Sequence, residues 1–220
     1  MARGRGSEWN REGRIQGDTN VSELTFQGRQ EARKCRNALS RRYFDACFSS
    51  PLTRARQTTE VVWGRREEPV VFADGLKEAN VAGLQGLTHV EAEAKFGDLY
   101  RQWRDAPAEF AMDGARPIVD LWPEVRAVWA EVSTWRPPRR EKRRTDEKKI
   151  LDNDYGDILV VSHKSVLRAM VLVALGLPPA SFRSIDIHNA GISEVRINDE
   201  GEPMLVSLNQ ATHLYTKIHY

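Results

Sequence analysis

Apolar positions along this 220-residue chain alternate between the spacing of helices and that of buried strands. Thr25 can cap a helix over 25–42, with Ala32, Cys35 and Leu39 on one face. Residues 44–49 read as a strand, after which Ser50-Pro51-Leu52 turns the chain into a helix over 53–63. Residues 70–73 predict a short buried strand, and Gly75, Gly83 and Gly86 make 75–87 a loop. A helix over 89–104 follows. Leu121, Val125, Val128, Val132 and Trp135 then fall at the spacing of one apolar helical face. Residues 157–162 form a continuous apolar strand, of the kind buried on both faces. They lead into a strongly apolar helix over 165–175, stopped by Gly176 and Pro178-Pro179. Segments 193–197 and 204–208, around Asn198-Asp199-Glu200-Gly201, predict a closing hairpin.

Strands alternating with helices predict an α/β fold. The expected architecture is a three-layer sandwich, a mainly parallel sheet with helices on both faces. A length of 220 residues suits a single domain over 1–220. In such sheets a ligand binds at the carboxyl ends of the strands.

Charge changes the picture in one place. The formal net charge is +2, yet residues 136–149, RPPRREKRRTDEKK, hold eight of the 33 basic and three of the 31 acidic residues. Without them 25 basic residues face 28 acidic ones. This stretch has two prolines and no aliphatic residue, so a basic mobile insert is expected at about 136–155. No aromatic residue is interleaved there for base stacking, which argues against a nucleic-acid partner. No run of 18 apolar residues is present, so no membrane partner is expected, and no secretory signal is visible after Met1. Cys35 and Cys47 read as buried free thiols of a reducing compartment. The five histidines show no i, i+4 pairing and neither cysteine has a ligand partner, so no metal or other cofactor is expected.

Two polar side chains fall at strand ends. His163 follows the strand over 157–162, and Arg54 lies in the first turn of the helix after the strand over 44–49. A helix N-terminus offers free N–H groups, and an arginine with an imidazole beside it suits a phosphate. Arg54 taken alone is equally readable as a surface residue, as Arg56 is. Glu78, in the glycine-rich loop, suits a general acid if burial raises its pKa, or a solvated loop carboxylate if not. His89, His188, His213 and His219 read as structural or surface residues.

Four segments in order carry a resemblance: SEWNREGRIQGDTNVSELTFQG (7–28), FSSPLTRARQTTEVV (48–62), LKEANVAGLQGL (76–87) and LVVSHKSVLRAMV (159–171). Together they resemble the histidine phosphatase superfamily, branch 1, whose fold is phosphoglycerate-mutase-like. FDACFSSPL, LYRQW and the MDGARPIVDLW region look most like a plant sugar-acid phosphatase subgroup. The resemblance implies phosphoryl transfer through a phosphohistidine, on a small phosphorylated metabolite such as a sugar or sugar-acid phosphate. It implies that Arg54 binds phosphate, that His163 is the second histidine and that Glu78 is the proton donor. It gives Asn10, Arg3, Gln16 and Gly17 to substrate binding. It also implies a soluble intracellular protein, chloroplast or cytoplasmic, and leaves a phosphomutase open beside the phosphatase.

The sequence departs from that pattern at its start. Arg3, Gly4, Arg5 and Gly6 hold the places of the Arg-His-Gly signature, so Gly4 stands where the nucleophile belongs. The apolar strand that precedes the signature is also missing. Three expectations compete: a truncated form of an active protein, a pseudoenzyme that binds phosphate ligands or a protein, and a replacement nucleophile, for which His163 is the candidate.

Overall fold

The computed structural model describes residues 6–136 and 156–215. The expectations for Arg3, Gly4, Arg5 and the preceding strand lie outside these residues, as does the basic insert beyond Arg136.

A short helix, α1 (Glu8–Glu12), opens the described chain, with Ser7 as its cap. Next comes α2 (Phe26–Ala38), capped by the Thr25 hydroxyl, which accepts from the Gly28 N–H. It stops four residues short of the expected Arg42. The Ser40 hydroxyl donates to the Asn37 carbonyl there, a local bond that competes with further helix. Strand β1 (Ala46–Ser49) leads to α3 (Thr53–Trp63) and β2 (Val70–Phe72). After a loop with two 3-10 turns come α4 (His89–Phe96) and α5 (Asp98–Asp105). The sequence predicts one helix here, but Gly97 sits at φ +47°, ψ −107° and breaks it. The long helix α6 (Pro117–Ser133) starts a turn earlier than its apolar spacing implies, with Pro117 in its first turn. Then follow β3 (Ile158–Val161), α7 (Lys164–Ala174), β4 (Ile192–Ile197) and β5 (Pro203–Gln210).

The sheet order is β2-β1-β3, all parallel, with Ala46 opposite Ile158 and Ser49 opposite Val161. Alternation along β1 divides its side chains between the faces. Ala46 and Phe48 enter a core with α6 and α7, built on Leu121, Val125, Val166 and Leu172. Cys47 enters a second core with Ala32 and Cys35 of α2 and Val62 and Trp63 of α3. Helices therefore cover both faces. Both cysteines are buried and free.

Two expectations about burial are corrected. β2 is partly exposed rather than buried, because it is an edge strand, and Arg56 stacks over its Phe72 ring at 4.5 Å. β3 is half-buried rather than covered on both faces, because among the described residues it pairs with β1 alone. The hairpin β4–β5 forms as expected but as a separate antiparallel two-stranded sheet, so it does not close the parallel one.

Phe48 is fully buried and meets Trp135 edge-on at a centroid distance of 5.3 Å. Phe48→Ala should cost about 3–5 kcal/mol of unfolding free energy, measured by chemical denaturation. A loss below about 1 kcal/mol would contradict the placement of this core.

Candidate active site

The carboxyl ends of β1 and β3 stand side by side, and each passes directly into a helix. Ser49 and Ser50 end the first crossing, and Arg54 lies in the opening turn of α3. His163 is the N-cap residue of α7. The loop after β2 brings Glu78 to the same edge, and the Ser162 hydroxyl anchors that loop by donating to the Leu76 carbonyl at 2.7 Å.

Arg54 is buried, at 7% exposure. Its Nη1 donates to the Thr19 carbonyl at 2.7 Å and its Nη2 to the Gly17 carbonyl at 2.8 Å. Burial pulls its pKa down, while Glu78 and Asp18 pull it back up. His163 is also buried, with Nε2 2.8 Å from the Ser50 Oγ. Burial first, and then the Arg54 charge, push its pKa down to about 3, so the imidazole is neutral at physiological pH.

Glu78 accepts the Ala79 N–H at 2.9 Å and the Ser165 N–H, in the first turn of α7, at 3.3 Å. Those bonds and Arg54 favour its charged form, but burial of the carboxyl outweighs them and raises its pKa. The carboxyl therefore keeps a proton to higher pH than an exposed glutamate does, as a general acid requires.

Arg54, His163 and Glu78 are thus brought together, and the Arg54 charge acts on both of the others. Gly17 joins them through its carbonyl. Asn10 and Gln16 form a pair one step away: Gln16 Nε2 donates to Asn10 Oδ1 at 2.6 Å and to Ser7 Oγ at 2.8 Å. Asn10 itself is exposed. No hydrogen bond among the described residues links Asn10 to the central three. Ser50, the Ser165 N–H and the Thr19 carbonyl were not singled out by sequence. For Ser50 the signal is present, since a serine before proline at a strand–helix crossing is held at the ligand edge.

The remaining described histidines have other partners. His89 Nδ1 pairs with the Tyr100 hydroxyl at 3.1 Å, His188 lies 3.6 Å from Asp186, and His213 contacts the Ala190 carbonyl at 2.9 Å. Among the described residues no three His, Cys, Asp or Glu side chains gather as a metal site, and no helix is long and apolar enough to cross a membrane.

A parallel α/β sheet with an arginine, a neutral imidazole and a buried carboxyl at its carboxyl edge defines a class of anion-receiving sites. The chain belongs to the histidine phosphatase superfamily (branch 1), whose family model matches residues 6–211. It is 37% identical over 187 residues to a probable 2-carboxy-D-arabinitol-1-phosphatase of Arabidopsis thaliana, covering 85% of this chain and 35% of that protein. It is 34% identical to the 2-carboxy-D-arabinitol-1-phosphatase of Triticum aestivum, covering 93% of this chain and 38% of that protein. The chain therefore spans little more than a third of these relatives' length. Among solved structures it superposes on mycobacterial glucosyl-3-phosphoglycerate phosphatase with a TM-score of 0.77 at 24% identity, covering 93% and 94% of the two chains. That likeness carries the fold, which is phosphoglycerate-mutase-like as the sequence implies.

The low pKa of His163 gives the fold a predicted acid sensitivity. Below about pH 6.5 the unfolded chain takes up a proton on this residue, whereas the folded chain refuses it until about pH 3. The unfolded state binds more protons in that window, so stability falls as pH falls through it. His163→Gln should lose less melting temperature between about pH 7 and about pH 4 than the unaltered chain loses. Equal losses would show that the folded chain protonates His163 readily.

Proposed function

We propose that the protein, in a form that carries the histidine nucleophile, hydrolyses the phosphomonoester of a small metabolite, a sugar or sugar-acid phosphate. The observation that carries this reading is the convergence of Arg54, neutral His163 and Glu78, whose pKa burial raises, on one edge of the sheet. The names of the plant relatives support the sugar-acid end of that range.

In this reading the Arg54 guanidinium holds a phosphoryl oxygen with the donors not engaged by Gly17 and Thr19. His163 adds an N–H to a second oxygen without adding charge. In a form that carries a histidine at the place Gly4 holds here, that histidine attacks phosphorus as the bond to the leaving oxygen breaks, and Glu78 gives its proton to that oxygen. Water then cleaves the phosphorus–nitrogen bond, which releases phosphate and frees the nucleophile. Asn10 and Gln16 would meet the metabolite. A chloroplast or cytoplasmic setting accords with the plant relatives.

A second reading is favoured by one observation, the glycine at position 4. An anion pocket without a nucleophile binds phosphate compounds and does not turn them over. An assay on p-nitrophenyl phosphate and a panel of sugar phosphates, without metal, separates the two. Turnover that Arg54→Ala lowers about 100- to 1,000-fold supports the hydrolase. Saturable phosphate binding without turnover supports the binding protein, and neither one overturns both. Transfer of the phosphoryl group to a second metabolite in place of water would mark a mutase.

Glu78 has a sharper test in the form that turns over. Glu78→Gln should slow alkyl phosphates by about 100-fold or more, because their leaving oxygen needs a proton. It should slow p-nitrophenyl phosphate by less than about 10-fold, since that leaving group departs as the anion. The loss of rate at high pH should vanish with it for alkyl substrates. An equal effect on both substrates would remove Glu78 from the proton-donor role.

A further inference from the structure

Ser50 is a buried polar residue at this edge that the proposed chemistry does not use. Pro51 follows it and favours extended backbone at Ser50. Its N–H donates to the Val161 carbonyl at 3.0 Å, so the end of β3 fixes it in place. The residue is 0% exposed. Its Oγ accepts from the Leu52 N–H at 3.3 Å and lies 2.8 Å from His163 Nε2.

Counting donors decides how that second contact runs. A serine hydroxyl has one proton to give and two lone pairs, and a neutral imidazole has one N–H and one bare nitrogen. The Leu52 N–H is a donor and cannot take the serine proton. Among the described residues the acceptor that meets Ser50 Oγ is His163 Nε2. Were Nε2 protonated, two N–H groups would point at one oxygen. The hydroxyl proton would then be buried without an acceptor, which folded proteins avoid.

We infer that Ser50 is a positioning residue: it donates its O–H to Nε2 and so holds the His163 proton on Nδ1. A histidine side chain free in water favours the other tautomer, with the proton on Nε2, and a bond to one ring nitrogen is what sets which nitrogen carries it. With Nε2 committed to Ser50, Nδ1–H is the donor that the ring offers to an anion. The neutral ring then needs no proton from solvent to make that bond. The tautomer stands on the Ser50 geometry alone. Only the identity of the anion, a phosphoryl oxygen, rests on the function proposed above.

Histidine labelled with 15N in the whole chain tests this, because two-bond proton–nitrogen correlations separate protonated from bare ring nitrogens. The His163 signals are assigned by their absence in His163→Gln. The expected result is a protonated Nδ1 and a bare Nε2, unchanged between about pH 5 and about pH 8 because the ring titrates far below that range. Ser50→Ala should move the proton to Nε2, and Ser50→Thr, which keeps the hydroxyl, should return it to Nδ1. A serine that only fills space would leave the tautomer alone in all three. Inorganic phosphate should shift the Nδ1 signal, with affinity falling ~10-fold in Ser50→Ala and recovering in Ser50→Thr. A bare Nδ1 in the unaltered chain overturns the inference, and that spectrum decides it even if Ser50→Ala fails to fold. Persistence of Nδ1–H in a folded Ser50→Ala overturns it too. A protonated Nδ1 that depends on Ser50 but ignores phosphate upholds the Ser50 assignment and defeats the phosphoryl reading.

Discussion

The pairing of β1 with β3 is the constraint on which the site depends. Ala46 lies opposite Ile158 and Ser49 opposite Val161, so both strands end at the same level of the sheet. The next residues of the two strands are Ser50 and Ser162, and His163 follows one position later. A slip of one residue would turn every side chain of one strand to the opposite face. Phe48 would leave the core of α6 and α7, and Ser50 would no longer meet His163. The two cores enforce the register, because Phe48 and Cys47 are each buried in a different one. The cost of misplacing a fully buried phenylalanine is several kcal/mol, at about the 3–5 kcal/mol of its removal. Packing far from the edge therefore determines geometry at the edge.

Burial also sets the electrostatic character of the site. Three ionisable groups share it, and desolvation is the largest influence on each. It disfavours charge on all three, but their starting points differ. An arginine begins so far above neutrality that it stays a cation. A histidine begins near neutrality and becomes a neutral donor. A glutamate begins below neutrality and is moved toward holding its proton. One physical cause thus yields a cation, a neutral imidazole and an acid in one place, without a metal-ligand cluster among the described residues.

Much of this was legible in the sequence. The helix over 53–63 and the four-segment order stand as read, and so do the parallel sheet and the placement of Arg54 and His163 at strand ends. These rest on local rules: an apolar period, a proline after a strand, a polar residue at a crossing. What was not legible depends on neighbours distant in sequence. The exposure of β2 and β3 follows from which strands lie beside them, which an apolar run does not encode. Gly97 breaks the helix expected over 89–104, and beyond it Tyr100 of α5 enters a buried cluster with Val81 and Leu84. Ser50 is legible as a residue at the ligand edge, but its partner is not, because only the fold brings His163, 113 positions away, to its hydroxyl.

The first loop holds Arg54 through its backbone. By resemblance Gly17 belongs to substrate binding. In the structure its φ is +53°, and a Cβ there would stand 1.8 Å from Gln85 Oε1. The same Gln85 oxygen accepts the Asp18 N–H at 2.9 Å, which seats the loop against the segment after β2. That seating aims the Gly17 and Thr19 carbonyls at Arg54. A guanidinium has five N–H donors, and two held by backbone leave the others directed and restrained. A cation fixed before its anion arrives loses little freedom on binding, which is the source of its advantage over a mobile one. The backbone conformation and the close approach of Gln85 thus favour glycine at position 17, where its carbonyl orients Arg54.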